Sequence, residues 1–404
     1  MALPYYLAAL GSERWGLVSF AMMLAVTLSM FEIGISQRLV RDLTVLNYQS
    51  RTMSRGVFRA IEIYYWLFAV ATGITITILA PGIVVSWLHL PTNLYSDGYS
   101  TIYFCAILLL AQIPSSAYRS SLIASGWQVH FGLQQIGHNI IKHVGGVIVV
   151  SQSGELNALY LYLGSIATID VLTRGAMAHY ALPAGDAKTI QWQRARLLLA
   201  SGLRMSLAVV ASVFALQLDK VFLSRLGSLT ELGVYSIAAS LAYGALQVTA
   251  PLVATMAPIL AVAATSEDEL EARCKRLLMM TVCILLIATA AYVAVGERLV
   301  HYWLKNDTLF EQMKWTLRLL LVGSSLNTLY QVGYQRWIAL GQTRTIMQVN
   351  VLALIIAAFL TPILIVYVGM IGATVAWIIL NVIGLSFQIP WLVKTARRRC
   401  SARL

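Results

Sequence analysis

Gly16-Leu-Val-Ser-Phe-Ala21 recurs in the other half of the chain as Gly233-Val-Tyr-Ser-Ile-Ala238, and Ile123-Ala-Ser-Gly126-Trp-Gln128 recurs as Ile338-Ala-Leu-Gly341-Gln342. The interval from Gly16 to Gly126 nearly equals that from Gly233 to Gly341. Each match is short, but two in the same order at almost the same offset point to one helical unit used twice. The sequence therefore predicts two parallel-repeat lobes, an architecture in which both halves insert the same way and substrate binds where they meet.

Around these echoes the chain is apolar: 59% of its residues are hydrophobic and 11% charged, and its mean hydropathy is +0.74, whereas soluble domains carry roughly 25% charge. Eleven stretches, at 15–36, 60–87, 101–124, 131–151, 156–178, 200–223, 232–262, 278–296, 314–338, 346–367 and 370–393, approach the ~20 residues a helix needs to cross a bilayer. The alternating ten-residue pattern of an outer-membrane barrel is absent, so the spans are predicted to be helices. The expected fold class is an all-α polytopic membrane protein: two pseudo-symmetric helical lobes, with eleven full spans plus an N-terminal stub, around a central cavity. The stub, Leu3-Pro-Tyr-Tyr-Leu-Ala-Ala-Leu10, reads as the outer end of a helix whose beginning is missing, because the second half counts six spans and the first five. The expected organisation is an N-terminal lobe over 1–180, a cytoplasmic linker over 181–199 and a C-terminal lobe over 200–404. The polar run Leu182 to Arg194 is predicted to end in a surface-lying amphipathic helix with Trp192 at the lipid headgroups.

A net charge of +12 raises nucleic acid as a partner, and the placement of the cations argues against it. Basic residues alternate by connector: Arg38, Arg41, Arg51, Arg55 and Arg59, then Lys188, Arg194, Arg196 and Arg204, then Arg273, Lys275 and Arg276, then Lys394, Arg397, Arg398, Arg399 and Arg403. The intervening connectors 88–100, 151–155 and 367–370 hold no Lys or Arg. The positive-inside rule makes the basic set, and with it the C-terminus, cytoplasmic, and the charge is topological rather than a nucleic-acid surface. Cys105, Cys274, Cys283 and Cys400 have no metal or disulfide spacing, so reduced structural thiols are expected and no metal or other cofactor is. No Walker A sequence is present, which argues against an intrinsic ATPase.

Three further stretches, Leu10-Gly-Ser-Glu-Arg-Trp-Gly16, Phe31-Glu-Ile-Gly-Ile-Ser-Gln-Arg-Leu-Val-Arg41, and Gln217-Leu-Asp-Lys-Val-Phe-Leu-Ser-Arg225 with Glu231-Leu-Gly-Val-Tyr235, match a known pattern in order and spacing. With the hydropathy profile, the chain resembles the polysaccharide-biosynthesis flippases, the Wzx-type O-antigen transporters of the multidrug/oligosaccharidyl-lipid/polysaccharide (MOP) exporter superfamily. That resemblance implies a two-lobed fold with a central cavity opening to either side. It also implies transport, not enzymatic activity: movement of undecaprenyl-diphosphate-linked oligosaccharide (O-antigen, capsule or exopolysaccharide repeat unit) across the bacterial inner membrane. The implied partners are the lipid-linked oligosaccharide, the phospholipid bilayer, the glycan polymerase and other envelope-assembly proteins. The absent first helix departs from the pattern and puts activity in doubt.

Ionisable groups within spans are costly unless they face a cavity or a partner, so each is a site candidate. Gln134, His138 and Lys142 fall at i, i+4 and i+8 on one helix face, continued by Gly145 and Gly146, where a neighbour or ligand has room. Lys142 lies roughly 20 Å from the turn at Gln128 at 1.5 Å per residue, too deep for easy snorkelling. Gln112, Ser115, Ser116 and Arg119 form a second stripe around Pro114, while Asp170 and Arg174, at i and i+4, have the spacing of an ion pair. Arg41, Gln331 and Arg336 complete the substrate-binding candidates. Glu32, Asp170 and Asp219 are the coupling-ion candidates, although Asp219-Lys220, near the outer end of its span, reads first as a structural pair or helix anchor rather than a binding group. Glu62 is a further acidic candidate for such a site, but one turn inside its helix it is expected to be solvated at the interface.

The chemistry expected of such a cavity is charge compensation. A diphosphate cannot enter ~30 Å of hydrocarbon unpaired, and fixed guanidinium and ammonium groups offset its desolvation. Export of anionic charge from a negative cytoplasm gains roughly 2.3 kcal/mol per charge per 100 mV, so ATP is not obligatory. Three rivals remain open: a cation-coupled small-molecule exporter of the same superfamily, which should carry interior carboxylates; a membrane glycan polymerase or glycosyltransferase, which needs a larger external loop than 297–314; and a non-transporting envelope scaffold.

Overall fold

A computed structural model of the protein describes residues 3–29, 33–49, 51–182, 190–200, 217–264, 266–388 and 391. No strand occurs among the described residues. The helices are α1 (Leu3–Ser29), α2 (Ile33–Gln49), α3 (Arg51–Ile78), α4 (Tyr95–Ala124), α5 (Gln128–Ser153), α6 (Leu156–Ala181), α7 (Leu218–Leu226), α8 (Leu229–Ala263), α9 (Glu267–Ala291), α10 (Glu297–Leu304), α11 (Asp307–Ala339), α12 (Thr343–Val368) and α13 (Met370–Ser386). The chain separates into two compact units, Met1–Gln217 and Leu218–Leu404. Among the described residues, five helices are long and apolar enough to cross a membrane: Ser54–Ile78, Thr92–Ala124, Leu156–Ala181, Glu267–Leu304 and Arg344–Val368.

Most of the span predicted at 200–223, and the end of the one at 370–393, lie outside the described residues; among the others, two boundaries change at the N-terminal side. The span expected at 15–36 is two helices, because α1 ends at Ser29 and α2 begins at Ile33. The second of them, with Arg38, Arg41 and Asp42, is too polar to continue a membrane crossing, and it packs on α4, where Ser120 donates to the carbonyl of Ser36 at 3.2 Å. The span expected at 60–87 stops as α-helix at Ile78; Pro81 has no N–H to give and the chain goes on as a π-turn over Gly82–Trp87. The stub Leu3–Leu10 is helical, joins the rest of α1 across Gly11 (φ 75°), and stacks Tyr6 on Trp15 at 5.8 Å.

In the first unit α4 is the hub, packed against α1, α2, α3, α5 and α6. Its Ile102, Phe104, Cys105, Leu109, Ile113 and Leu122 are fully covered, and it runs unbroken through Pro114. The polar stripe of α5 has an apolar opposite: Leu133, Ile136, Ile140, Val144 and Ile148 are all exposed. A helix with its polar groups inward and its aliphatic groups outward is built for lipid. Gly145 and Gly146 are approached by neighbouring phenols, since a Cβ on either would stand 1.9 Å from the Tyr162 oxygen and 2.2 Å from the Tyr6 oxygen respectively.

The sequence echo is a structural repeat. Gly126 ends α4 at φ 80° and Gly341 ends the α11 region at φ 66°. Each closes the same pair of bonds: Gly126 N to Ile123 O (3.1 Å) with Trp127 N to Leu122 O (2.8 Å), and Gly341 N to Ile338 O (3.0 Å) with Gln342 N to Trp337 O (2.9 Å). This is the Schellman closure, which needs a left-handed residue and so selects glycine at both places. The other echo, 16–21 and 233–238, is buried in both units apart from half-buried Ser236.

The second unit is knitted by small-residue contacts of the kind that hold membrane helices together. Gly323 receives the Trp377 ring, Gly333 the Gln388 amide and Gly384 the Tyr330 ring. Asn327 donates to Asn381 at 2.8 Å, and Asn381 to the Trp377 carbonyl at 2.8 Å. Gly372 instead meets backbone: its hypothetical Cβ would stand 2.1 Å from the Leu364 carbonyl oxygen. Because that obstacle is backbone, it cannot swing away. Gly372→Ala is expected to destabilise the protein by about 1–3 kcal/mol through overpacking, read as a lowered melting temperature of the detergent-solubilised chain.

Candidate functional site

The first unit carries a partly open cavity of about 350 Å³ among α1, α4, α5 and α6. Ser29, Gln112, Ser115, Ser116, Arg119, Gln135, His138, Asn139, Lys142, Asp170 and Arg174 give it a polar wall, and Leu108, Ala111, Leu163 and Ala167 complete it. Three helices supply the charge: α4 gives Arg119, α5 gives Lys142 and His138, and α6 gives Asp170 and Arg174. The period of the α-helix explains the arrangement, since residues four apart share a face and three polar faces converge.

Within this wall the charged groups divide into two sets. Asp170 and Arg174 are locked together, Nη2 to Oδ2 at 2.9 Å. The Arg174 guanidinium also donates from Nε to the Gln134 amide oxygen (3.2 Å) and from Nη1 to the Ser115 hydroxyl (2.9 Å), and it lies over the Phe131 ring at 5.2 Å. The other Asp170 oxygen accepts from the Gln134 amide nitrogen at 2.6 Å and faces His138 Nδ1 at 3.5 Å. All three guanidinium nitrogens and both carboxylate oxygens are therefore engaged. Lys142 and Arg119, by contrast, make no hydrogen bond or ion pair among the described residues. Three cationic side chains stand in the wall against one carboxylate, and two of the three have donors to spare.

The structure thus brings together Gln112, Arg119, His138, Lys142, Asp170 and Arg174, with Gln134 behind the wall as a bridge between Asp170 and Arg174. Gln135 and Asn139 line the cavity and were not expected; they too stand four apart on α5, so the same spacing rule identifies a second polar row beside the first. Ser29, at the end of α1, carries no such signal. Gln331 and Arg336 stand on α11 of the second unit, Arg336 over the Trp391 ring at 5.4 Å. Arg41 lies on α2 with its side chain outside the described residues, and Glu32 lies outside them altogether.

Two acidic candidates are held by neighbours. Asp219 is buried on α7, accepting from the Tyr235 hydroxyl and, at 2.8 Å, from the Lys220 amide. That environment fits the anchor reading of Asp219-Lys220. Glu62, expected in solvent, is instead 17% exposed and joins three helices: Tyr118 donates to it at 2.6 Å, His179 reaches it at 3.0 Å, and Trp66 donates to Tyr118 at 3.0 Å. The linker is tied to the same helix, with Trp192 edge-on to Tyr64 at 5.4 Å and Gln191 N bonded to Gly56 O at 3.2 Å. Among the described residues no cluster of three or more His, Cys, Asp or Glu side chains forms a metal site.

Residues 169–308 match the family profile described as "Polysaccharide biosynthesis protein". No relative of curated function matches the chain. Among solved structures, the chain resembles an inward-facing multidrug-resistance MATE family transporter of the MOP superfamily, with a TM-score of 0.71 at 13% identity over 98% of this chain and 94% of that one. It also resembles the lipid II flippase MurJ in an inward closed conformation, with a TM-score of 0.64 at 13% identity, covering 96% of this chain and 87% of that one. The Vibrio cholerae MATE transporter VcmN in its bent form gives a TM-score of 0.57 at 13% identity, covering 98% and 96%. At such identity the likenesses establish the fold, the all-α, two-lobed membrane architecture expected from the repeats.

Proposed function

We propose that this chain is a flippase that moves polyprenyl-diphosphate-linked oligosaccharide across the bacterial inner membrane by alternating access of its two units. The observation that carries the proposal is the first unit's cavity, where Lys142 and Arg119 line the wall without a hydrogen bond or close ion pair among the described residues, near an Asp170 already paired with Arg174. Such an excess of cations is stable near mid-bilayer only in contact with water or an anion, and a diphosphate is a chelating anion that guanidinium and ammonium groups bind through charge-assisted hydrogen bonds. Gln112, Gln135 and Asn139 add the neutral donors and acceptors that sugar hydroxyls need. A cation exporter would want free carboxylates here, whereas the one carboxylate lining the cavity, Asp170, is already paired with Arg174.

The test is reconstitution of the full chain in vesicles carrying a fluorescent undecaprenyl-diphosphate-linked oligosaccharide on the inner leaflet. Protein-dependent exposure of the glycan at the outer leaflet is expected, together with no transport of a quaternary ammonium dye. Dye transport without glycan exposure would replace this reading with that of a drug exporter.

A further inference from the structure

An acid inside an anion-binding cavity is an anomaly. Asp170 adds a negative charge beside the place where a diphosphate would sit, and it ties up the one arginine in the wall that is fully oriented. Gln134 bridges the pair, accepting from Arg174 Nε at 3.2 Å and donating to Asp170 Oδ1 at 2.6 Å, so both members are held from the same side. His138, on the next turn of α5, faces the same carboxylate oxygen at 3.5 Å without being its main partner. The carboxylate therefore has a second partner at hand if it loses the first, one that becomes a cation on taking a proton.

We propose that Asp170 is a built-in counter-anion that holds Arg174 while the cavity lacks substrate and surrenders it to the substrate's phosphate, turning to His138 as it does so. This rests on the flippase reading above and adds a regulatory step to it. The charged groups facing Asp170 from the helices packed against it are Arg119 of α4, and His138 and Lys142 of α5; Arg174 is on its own helix. A small singly charged anion meets Lys142 and Arg119 but cannot outcompete Asp170 for Arg174, because it offers one weak contact against a carboxylate already oriented by Gln134. A diphosphate presents several oxygens at once, and once anchored on Lys142 and Arg119 it competes for Arg174 intramolecularly. The freed carboxylate then stands with new negative charge beside His138, and both favour a proton on that imidazole. Binding of the anion and uptake of a proton are thereby linked, each favouring the other. The same exchange run backwards expels the phosphate, because Asp170 reclaims Arg174 when the proton leaves.

The experiment is calorimetric titration of the full chain in nanodiscs with geranylgeranyl diphosphate, in two buffers of different ionisation enthalpy, so that protons taken up on binding are read directly. Wild type is expected to bind with net proton uptake. Asp170→Asn is expected to bind on the order of tenfold more tightly, with that uptake lost, while glycan flipping slows because release is no longer assisted. His138→Gln, which leaves the Asp170–Arg174 pair in place, should lose proton uptake without tightening. Binding by folded Asp170→Asn that is unchanged or weaker, or proton uptake that survives in both variants, overturns the exchange while leaving the flippase reading intact. A wild type that does not bind the diphosphate at all overturns both.

Discussion

The double variant Lys142→Ala, Arg119→Ala is expected to reduce flipping of a diphosphate-linked oligosaccharide by about 10²-fold or more while leaving the fold intact. Both parts follow from the same observation: neither side chain makes a hydrogen bond or ion pair among the described residues, so removing them orphans no protein group. A hydrogen bond to a charged group contributes about 1.5–3 kcal/mol, and two lost together span roughly two to four factors of ten at 1.36 kcal/mol each. Lys142→Arg keeps the charge and should retain part of the activity, whereas Lys142→Glu should be at least as damaging as the double variant. The measurement is the initial rate of glycan exposure in vesicles, beside a melting curve of each variant. Normal flipping by a well-folded double variant would remove the charge-compensation argument, because no other unpaired cation lines this cavity among the described residues.

Much of this architecture is legible in the amino-acid sequence itself. The repeat was readable because Gly126 and Gly341 are forced: a left-handed closure after α4 and after α11 admits little else, so the same letters had to return. The α5 stripe was readable because a four-residue period survives in any helix: His138 and Lys142 line the cavity, and Gln134 stands behind them on Asp170. Partner choice was harder to read. Nothing in the sequence says that Arg174 reaches Ser115, 59 positions away, or that Glu62 meets Tyr118 and His179 rather than water. Those pairings depend on how α3, α4, α5 and α6 are rotated against one another, which local spacing does not encode. For the same reason the i, i+4 spacing of Asp170 and Arg174 indicated an ion pair but gave no hint that Gln134 and His138 surround it.

The second large effect is expected at Arg174 itself, and it is one of stability. Arg174→Ala removes the main partner of Asp170, whose side chain is only 12% exposed, and leaves the carboxylate with Gln134 and a histidine at 3.5 Å. Stranding one member of a buried pair costs about 3–5 kcal/mol, and contact with the cavity places this case towards the lower end. Asp170→Ala alone should cost less, since the guanidinium keeps Gln134, Ser115 and the Phe131 face. The double variant Asp170→Ala, Arg174→Ala should recover most of the Arg174→Ala loss, because a pair removed together leaves no unpaired charge. Thermal unfolding of the four proteins in one detergent closes the cycle. If Arg174 were simply a third substrate cation, Arg174→Ala would unfold like wild type and lose only binding. A strongly negative coupling between the two positions instead means that Asp170 and Arg174 answer first to each other, which is the condition under which an arriving phosphate has something to displace.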